Sequence, residues 1–232
     1  MDRRDFIRIC TAGAGMAGTV PDRVLAAPTT LRPYRRARLL DDSGKPLRAA
    51  TIAAQRNYVF FYPYRGTPCF LLNLGRPLQP AHVSASSDAY AWPGGVGTNR
   101  SLVAYSAICS HQLTYPTREI SFISFRAGKQ GANRHGDVIH CCSEHSQYDP
   151  AQGARVVAGP APRPLAAVVL EHEPATDGLY ATATLGQDLF EEFFRKYEFR
   201  LTMEHGGAAR RDNSDNCRVT ELENYCRQQV RC

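Results

Sequence analysis

Cys109-Ser110-His111 and, after thirty intervening residues, Cys142-Ser143-Glu144-His145 decide how this chain is read. Each segment places a cysteine and a histidine in a short polar loop directly after an apolar run, Leu102 to Ile108 in the first case and Val138 to Cys141 in the second. Short β-branched and aromatic runs bounded by turn residues read as strands. Two such loops at one end of a β unit bring two thiolates and two imidazoles together. Two chemistries use that donor set: zinc takes two Cys and two His tetrahedrally, and a [2Fe-2S] cluster of mixed ligation has two Cys on one iron and two His on the other.

Working outward, the texture around these loops is that of antiparallel β structure. Thr51 to Ala54, Tyr58 to Tyr62 and Cys69 to Leu74 precede the first loop, broken by Pro63, Gly66 and Pro68. Ile120 to Phe125 and Asp137 to His140 lie between the loops, joined by the polar stretch from Ala127 to Gly136, which reads as a hairpin connection. Leu165 to His172 and Leu179 to Leu185 are two further strands. Asp188 to Phe199 reads as one helix, with Leu189, Phe190, Phe193, Phe194 and Tyr197 on a single face that packs against a sheet. Residues 27 to 48 are a basic lead-in that reads as an extended arm or edge, and residues 208 to 232 form a polar tail holding three cysteines. No repeat of fixed period occurs.

The 232 residues carry a net charge of +6 and are 43% hydrophobic. That content is too apolar for a disordered chain, and no apolar run reaches the roughly 18 residues a membrane-spanning helix needs. The positive charge is mild and not clustered, which argues against nucleic-acid binding. Residues 1 to 26 read as an export leader. Arg3 and Arg4 resemble the twin-arginine signal, a small-residue apolar stretch runs from Ile9 to Val20, and Val24-Leu25-Ala26 is a cleavage pattern. Export by that route implies a periplasmic protein that folds, often around a cofactor, before translocation. The remaining seven cysteines, Cys69, Cys109, Cys141, Cys142, Cys217, Cys226 and Cys232, are an odd number, so not all are disulfides. A Cys217 to Cys226 bridge would pin the tail and leave Cys232 to pair elsewhere. Cys69 reads as a buried small hydrophobe, and Cys141 as packed or bridged.

The two loops resemble the Rieske iron-sulfur proteins, whose pattern is C-x-H, an insert, then C-x-x-H. The likeness extends downstream through Ser146-Gln147-Tyr148-Asp149, Gly153 and Gly159-Pro160-Ala161-Pro162, which match the covering loop of the cytochrome bc class. It is close over residues 105 to 165. Three departures stand out: the insert is long, Thr114 and Glu144 occupy the places of two stapling cysteines, and the glycine before Ser146 is missing.

The resemblance implies an all-β Rieske fold over residues 27 to 207, with a cluster-binding subdomain at about 105 to 165 inserted into antiparallel sheets, plus one C-terminal helix. It implies one [2Fe-2S] cluster, with Cys109 and Cys142 as thiolate ligands and His111 and His145 as imidazole ligands. Ser146 and Tyr148 would donate hydrogen bonds to sulfur, and Gly159, Pro160 and Pro162 would cover the site. Such donors stabilise the reduced state and raise the potential. The implied function is one-electron transfer without a substrate-converting site, in an exported protein, peripherally membrane-associated or free, working with cytochromes or a larger respiratory complex. A quinol-cytochrome c oxidoreductase subunit, the small subunit of an arsenite-oxidase-like molybdoenzyme and a zinc-stabilised interaction module are the alternatives.

Overall fold

The computed structural model describes residues 31–84, 89–129, 135–213 and 215–232. The leader expected at residues 1 to 26, with its arginine pair and cleavage pattern, lies outside the described residues. In chain order the strands are β1 (Arg32–Leu40), β2 (Tyr58–Phe61), β3 (Pro68–Asn73), β4 (Ala81–Ser84), β5 (Ala89–Trp92), β6 (Leu102–Ser106), β7 (Ile120–Ser121), β8 (Ile123–Arg126), β9 (Val138–Cys141), β10 (Ser146–Asp149), β11 (Arg155–Ala158), β12 (Ala167–Glu173) and β13 (Gly178–Leu185). Helices α1 (Phe190–Lys196) and α2 (Glu198–His205) follow, then β14 (Asn216–Arg218), β15 (Thr220–Glu221), the short α3 (Leu222–Tyr225) and β16 (Gln228–Gln229). The class is all-β, and among the described residues no helix is long and apolar enough to cross a membrane.

Eight strands form the main sheet in the order β14-β1-β13-β12-β6-β3-β2-β15. Alternation along β3 shows how its two faces are filled. Phe70 and Leu72 enter one core with Tyr105, Ile139 and Tyr148, while Cys69 and Leu71 enter a second with Leu39, Leu170 and Leu179. The period-2 placement of side chains requires this division. Strands β6 and β12 are neighbours in the sheet, yet a second, four-stranded sheet, β11-β10-β9-β8, is inserted between them in sequence. Its Ile123, Phe125, Ile139, Cys141 and Tyr148 pack into the first core. The candidate site sits where this small sheet meets the end of β6.

Three expectations are corrected here. The basic lead-in is not an arm or an edge: β1 lies inside the main sheet between β13 and β14, because Ala37 and Leu39 alternate inward while the arginines project outward. Arg36 stacks 3.4 Å from the Tyr180 ring centroid and reaches Glu171 at 2.8 Å, so the charge lies on the outer side of a strand whose Ala37 and Leu39 are buried. The single helix is two, since Tyr197 leaves the helical region at φ −111°, ψ 19° and its ring packs on Tyr115 and Phe193. Cys217 and Cys226 are both free, because Cys217 is buried in the second core and Cys226 in the first. The tail is tied into the fold, with β14 parallel to β1, β15 antiparallel to β2 and β16 parallel to β7.

Candidate metal centre

The first loop leaves β6 and closes on itself. The Cys109 amide donates to the Thr114 carbonyl at 2.8 Å and the Leu113 amide to the Cys109 carbonyl at 2.9 Å. Leu113 takes φ +58°, the left-handed geometry such a tight return needs. Alternation past the strand turns Ile108 toward Phe190, Phe193 and Phe194 of α1 and turns Cys109 toward Tyr148. Lys196 of α1 holds the loop from outside, donating to the Gln112 carbonyl at 2.6 Å. The aromatic stripe of α1 is therefore the floor under this loop.

The second loop is the turn from β9 to β10. Cys141 and Ser146 are cross-strand partners, as are Ile139 and Tyr148, so Cys141, Ser146 and Tyr148 share one face of the hairpin. The turn between them is Cys142-Ser143-Glu144-His145, with His145 left-handed at φ +57°. The covering segment presses on it. A Cβ at Gly159, where φ is +86°, would stand 2.6 Å from the His145 carbonyl oxygen and 2.6 Å from the Ser146 Cα. The same segment is fastened to the first loop by Ser110, whose hydroxyl donates to the Arg163 carbonyl at 2.6 Å. Pro160 and Pro162 are exposed on either side of buried Ala161.

On the inner face, Cys109 and Cys141 share a thiol hydrogen bond, and the Tyr148 hydroxyl lies 3.2 Å from the Cys109 sulfur. The Cys109 thiol is pulled down to about 6, first by the Cys141 thiol, against burial, with further help from Tyr148 and the backbone amides of His111 and Gln112. Cys141 is pushed up by the same contact, then by burial. The amides of Ser143 and Glu144 point at its sulfur. One proton between two sulfurs satisfies both, which is the signature of a site built for thiolates. Burial and the adjacent Cys109 charge push the Tyr148 phenol far up, so it acts as a donor.

Nδ1 of His111 and Oγ of Ser146 are both buried with no hydrogen-bond partner among the described residues. A buried nitrogen and a buried hydroxyl beside two paired thiols fit a bound group that supplies an acceptor and a coordination bond. Cys109, Cys141 and His111 fit such a group.

Cys142, expected as a thiolate ligand, is bonded to Cys232 in a disulfide that spans 90 residues. The reason is the phase of β9. Ile139 and Cys141 face inward, so His140 and then Cys142 face outward, where the C-terminus arrives. The His145 imidazole is also on this outer side, with its ring centroid 5.9 Å from that of His140. Burial, then His145 and Arg126, hold the His140 imidazole below its ordinary range. Neither the phase of β9, fixed by its register against β8 and β10, nor the partner of Cys142 was legible in the local sequence.

No protein-family model matches the chain. Among solved structures, it is similar to the soluble domain of the Rieske protein II (soxF) from Sulfolobus acidocaldarius, with 25% sequence identity and a TM-score of 0.47 over 65% of this chain and 78% of that one.

Proposed function

We propose that Cys109, Cys141 and His111 hold a [2Fe-2S] cluster and that the protein is a one-electron carrier of the Rieske type. The observation that carries this reading is the inner-face pairing of Cys109 with Cys141 beneath the Tyr148 hydroxyl, beside the orphaned His111 Nδ1 and Ser146 Oγ. When bound, such a cluster accepts and returns single electrons.

The two thiolates and the His111 imidazole would hold such a cluster. With Cys142 consumed and His145 beside His140, the remaining ionisable side chain of the turn is Glu144, and the fourth place falls to its carboxylate. Counting supports this. Taken from Cys141, the interval to Ser146 and Tyr148 has the family's full length, Glu144 stands at the second imidazole position, and His145 stands at the glycine position in the left-handed conformation a glycine adopts. An imidazole ligand in place of a thiolate and the donors Tyr148 and Ser146 would stabilise the reduced state, so the midpoint lies above the roughly −400 mV of an all-cysteine cluster.

An exported location, cytochromes or a respiratory complex as redox partners, and peripheral membrane contact are parts of this proposal that rest on the Arg3-Arg4 leader. The deciding experiment is the electron paramagnetic resonance spectrum of the reduced protein, with iron and acid-labile sulfide assayed on the same sample. Two irons and two sulfides per chain with a rhombic signal of low average g support the reading. A silent, sulfide-free sample after anaerobic reconstitution overturns it.

A further inference from the structure

The outer face of the β9–β10 hairpin carries a second set of soft donors that the cluster reading does not use. Cys142 and Cys232 are bonded there, against His140 and His145. The Cys232 sulfur lies 3.7 Å from Nδ1 and 3.6 Å from Nε2 of His140. One donor atom each from His140, His145 and Cys232 falls within 4.8 Å of the other two. In a tetrahedral zinc site, with Zn–N about 2.0–2.1 Å and Zn–S about 2.3 Å, a nitrogen and a sulfur stand about 3.6 Å apart. The Cys232–His140 pair therefore already has the spacing of a tetrahedron's edge, the His145 donor lies within 4.8 Å of both, and Cys142, bonded to Cys232, is the fourth donor at hand.

While the disulfide stands, neither sulfur is a thiolate. The His140 imidazole is then left near the Arg126 guanidinium, which donates to the Val230 carbonyl and has Arg231 close by. That is an unfavourable place for a dication. Reduction changes the sign of the site.

The geometry points to a redox-gated metal site made of Cys142, Cys232, His140 and His145, which takes a zinc-class divalent cation when the disulfide is reduced and gives it up when the disulfide re-forms. A dithiol or phosphine reductant supplies two electrons. The S–S bond breaks and two S–H bonds form; the dithiol supplies both hydrogens and leaves as its own disulfide, or the phosphine takes the oxygen of one water, whose two protons go to the sulfurs, and leaves as its oxide. The metal then displaces one proton from each thiol to solvent, so that two thiolates balance its two charges and two imidazoles complete the tetrahedron. Return requires a two-electron disulfide oxidant. The site shares no donor with Cys109, Cys141 or His111, so it stands whether or not a cluster fills the inner face.

The test is anaerobic titration of the full chain with cobalt(II), once oxidised and once after reduction by a phosphine, which does not compete as a thiol would. The reduced chain takes up one equivalent more than the oxidised chain, with the d–d absorption of tetrahedral cobalt and a thiolate charge-transfer band, and zinc displaces it. Cys232→Ser and, separately, His145→Gln at an exposed position weaken this extra equivalent by about a hundredfold or more. Cys109→Ser leaves it in place. If Cys232→Ser does not fold, His145→Gln decides the matter alone. Equal uptake by oxidised and reduced chains overturns the proposal, as does an extra equivalent that survives in His145→Gln or disappears in Cys109→Ser. Iron and sulfide content of the oxidised protein, read on the same preparation, reports the inner face separately.

Discussion

Replacing Cys142 and Cys232 together by serine removes a cross-link that closes a 90-residue interval. In the chain-entropy description, a loop of that length costs the unfolded state about 4.6 kcal/mol of conformational freedom at 25 °C, and native disulfides deliver about 2–4 kcal/mol of it. Nothing else is cut, because β14, β15 and β16 keep their pairings with β1, β2 and β7. The double variant should therefore still fold, with an unfolding free energy lower by about 3 kcal/mol and a Tm lower by roughly 6–12 °C for a chain of this size. Guanidinium unfolding of the oxidised protein, the dithiol-reduced protein and the double variant measures it, and the last two should coincide. The same loosening reaches the centre, since the turn that follows Cys141 loses its anchor, so iron retained through gel filtration should fall in parallel. A double variant within about 0.5 kcal/mol of the oxidised protein would refute the reasoning, because a bond that leaves stability unchanged is not restraining the unfolded chain.

Three further outcomes test the site and its frame. Gly159→Ala puts a methyl group onto the His145 carbonyl and the Ser146 Cα at a left-handed φ, and should cost about 1–3 kcal/mol and most of the bound iron; Gly128→Ala, left-handed but with open space around it, should cost less and leave iron unchanged. Tyr148→Phe removes a donor 3.2 Å from the Cys109 sulfur, so in the cluster-free chain the Cys109 thiol should titrate about one pH unit or more above its present value of about 6, read from thiolate absorbance. An unchanged titration would remove Tyr148 from the site. Asp177 is held below its ordinary range first by the Ala50 amide and then by His172, at 2.9 Å each, so its stabilisation is complete above the unfolded carboxylate value near about 3.9 and is lost as pH falls through the lower folded value. Asp177→Asn should accordingly be less stable than the parent at pH 7, with the gap closing below about pH 4; a gap independent of pH counts against the carboxylate.

What the sequence determined alone is what depends on local pattern. Apolar and β-branched runs between turn residues mark the strands, the inward stripe of Phe190, Phe193 and Phe194 marks the packing of α1, and Cys-x-His followed by a second Cys/His segment marks a pair of loops able to hold a metal centre. Tyr148 was singled out by the resemblance of the segment after the second loop, and the register of β9 on β10 places it against Cys109. The basic arginines of β1 misled for the opposite reason: outward charges dominate the composition, while two inward residues, Ala37 and Leu39, place the strand inside the sheet.

Only the tertiary structure decided which of two adjacent cysteines faces the site. Neighbouring residues on a strand point to opposite sides, so the choice between Cys141 and Cys142 rests on the register of β9 against β8 and β10. The bond from Cys142 to Cys232, and with it the company that His140 and His145 keep, joins residues 90 apart in the chain. No local propensity encodes such a contact, because it exists only once the tail has paired along β1, β2 and β7 and brought its last residue to the outer face of the hairpin.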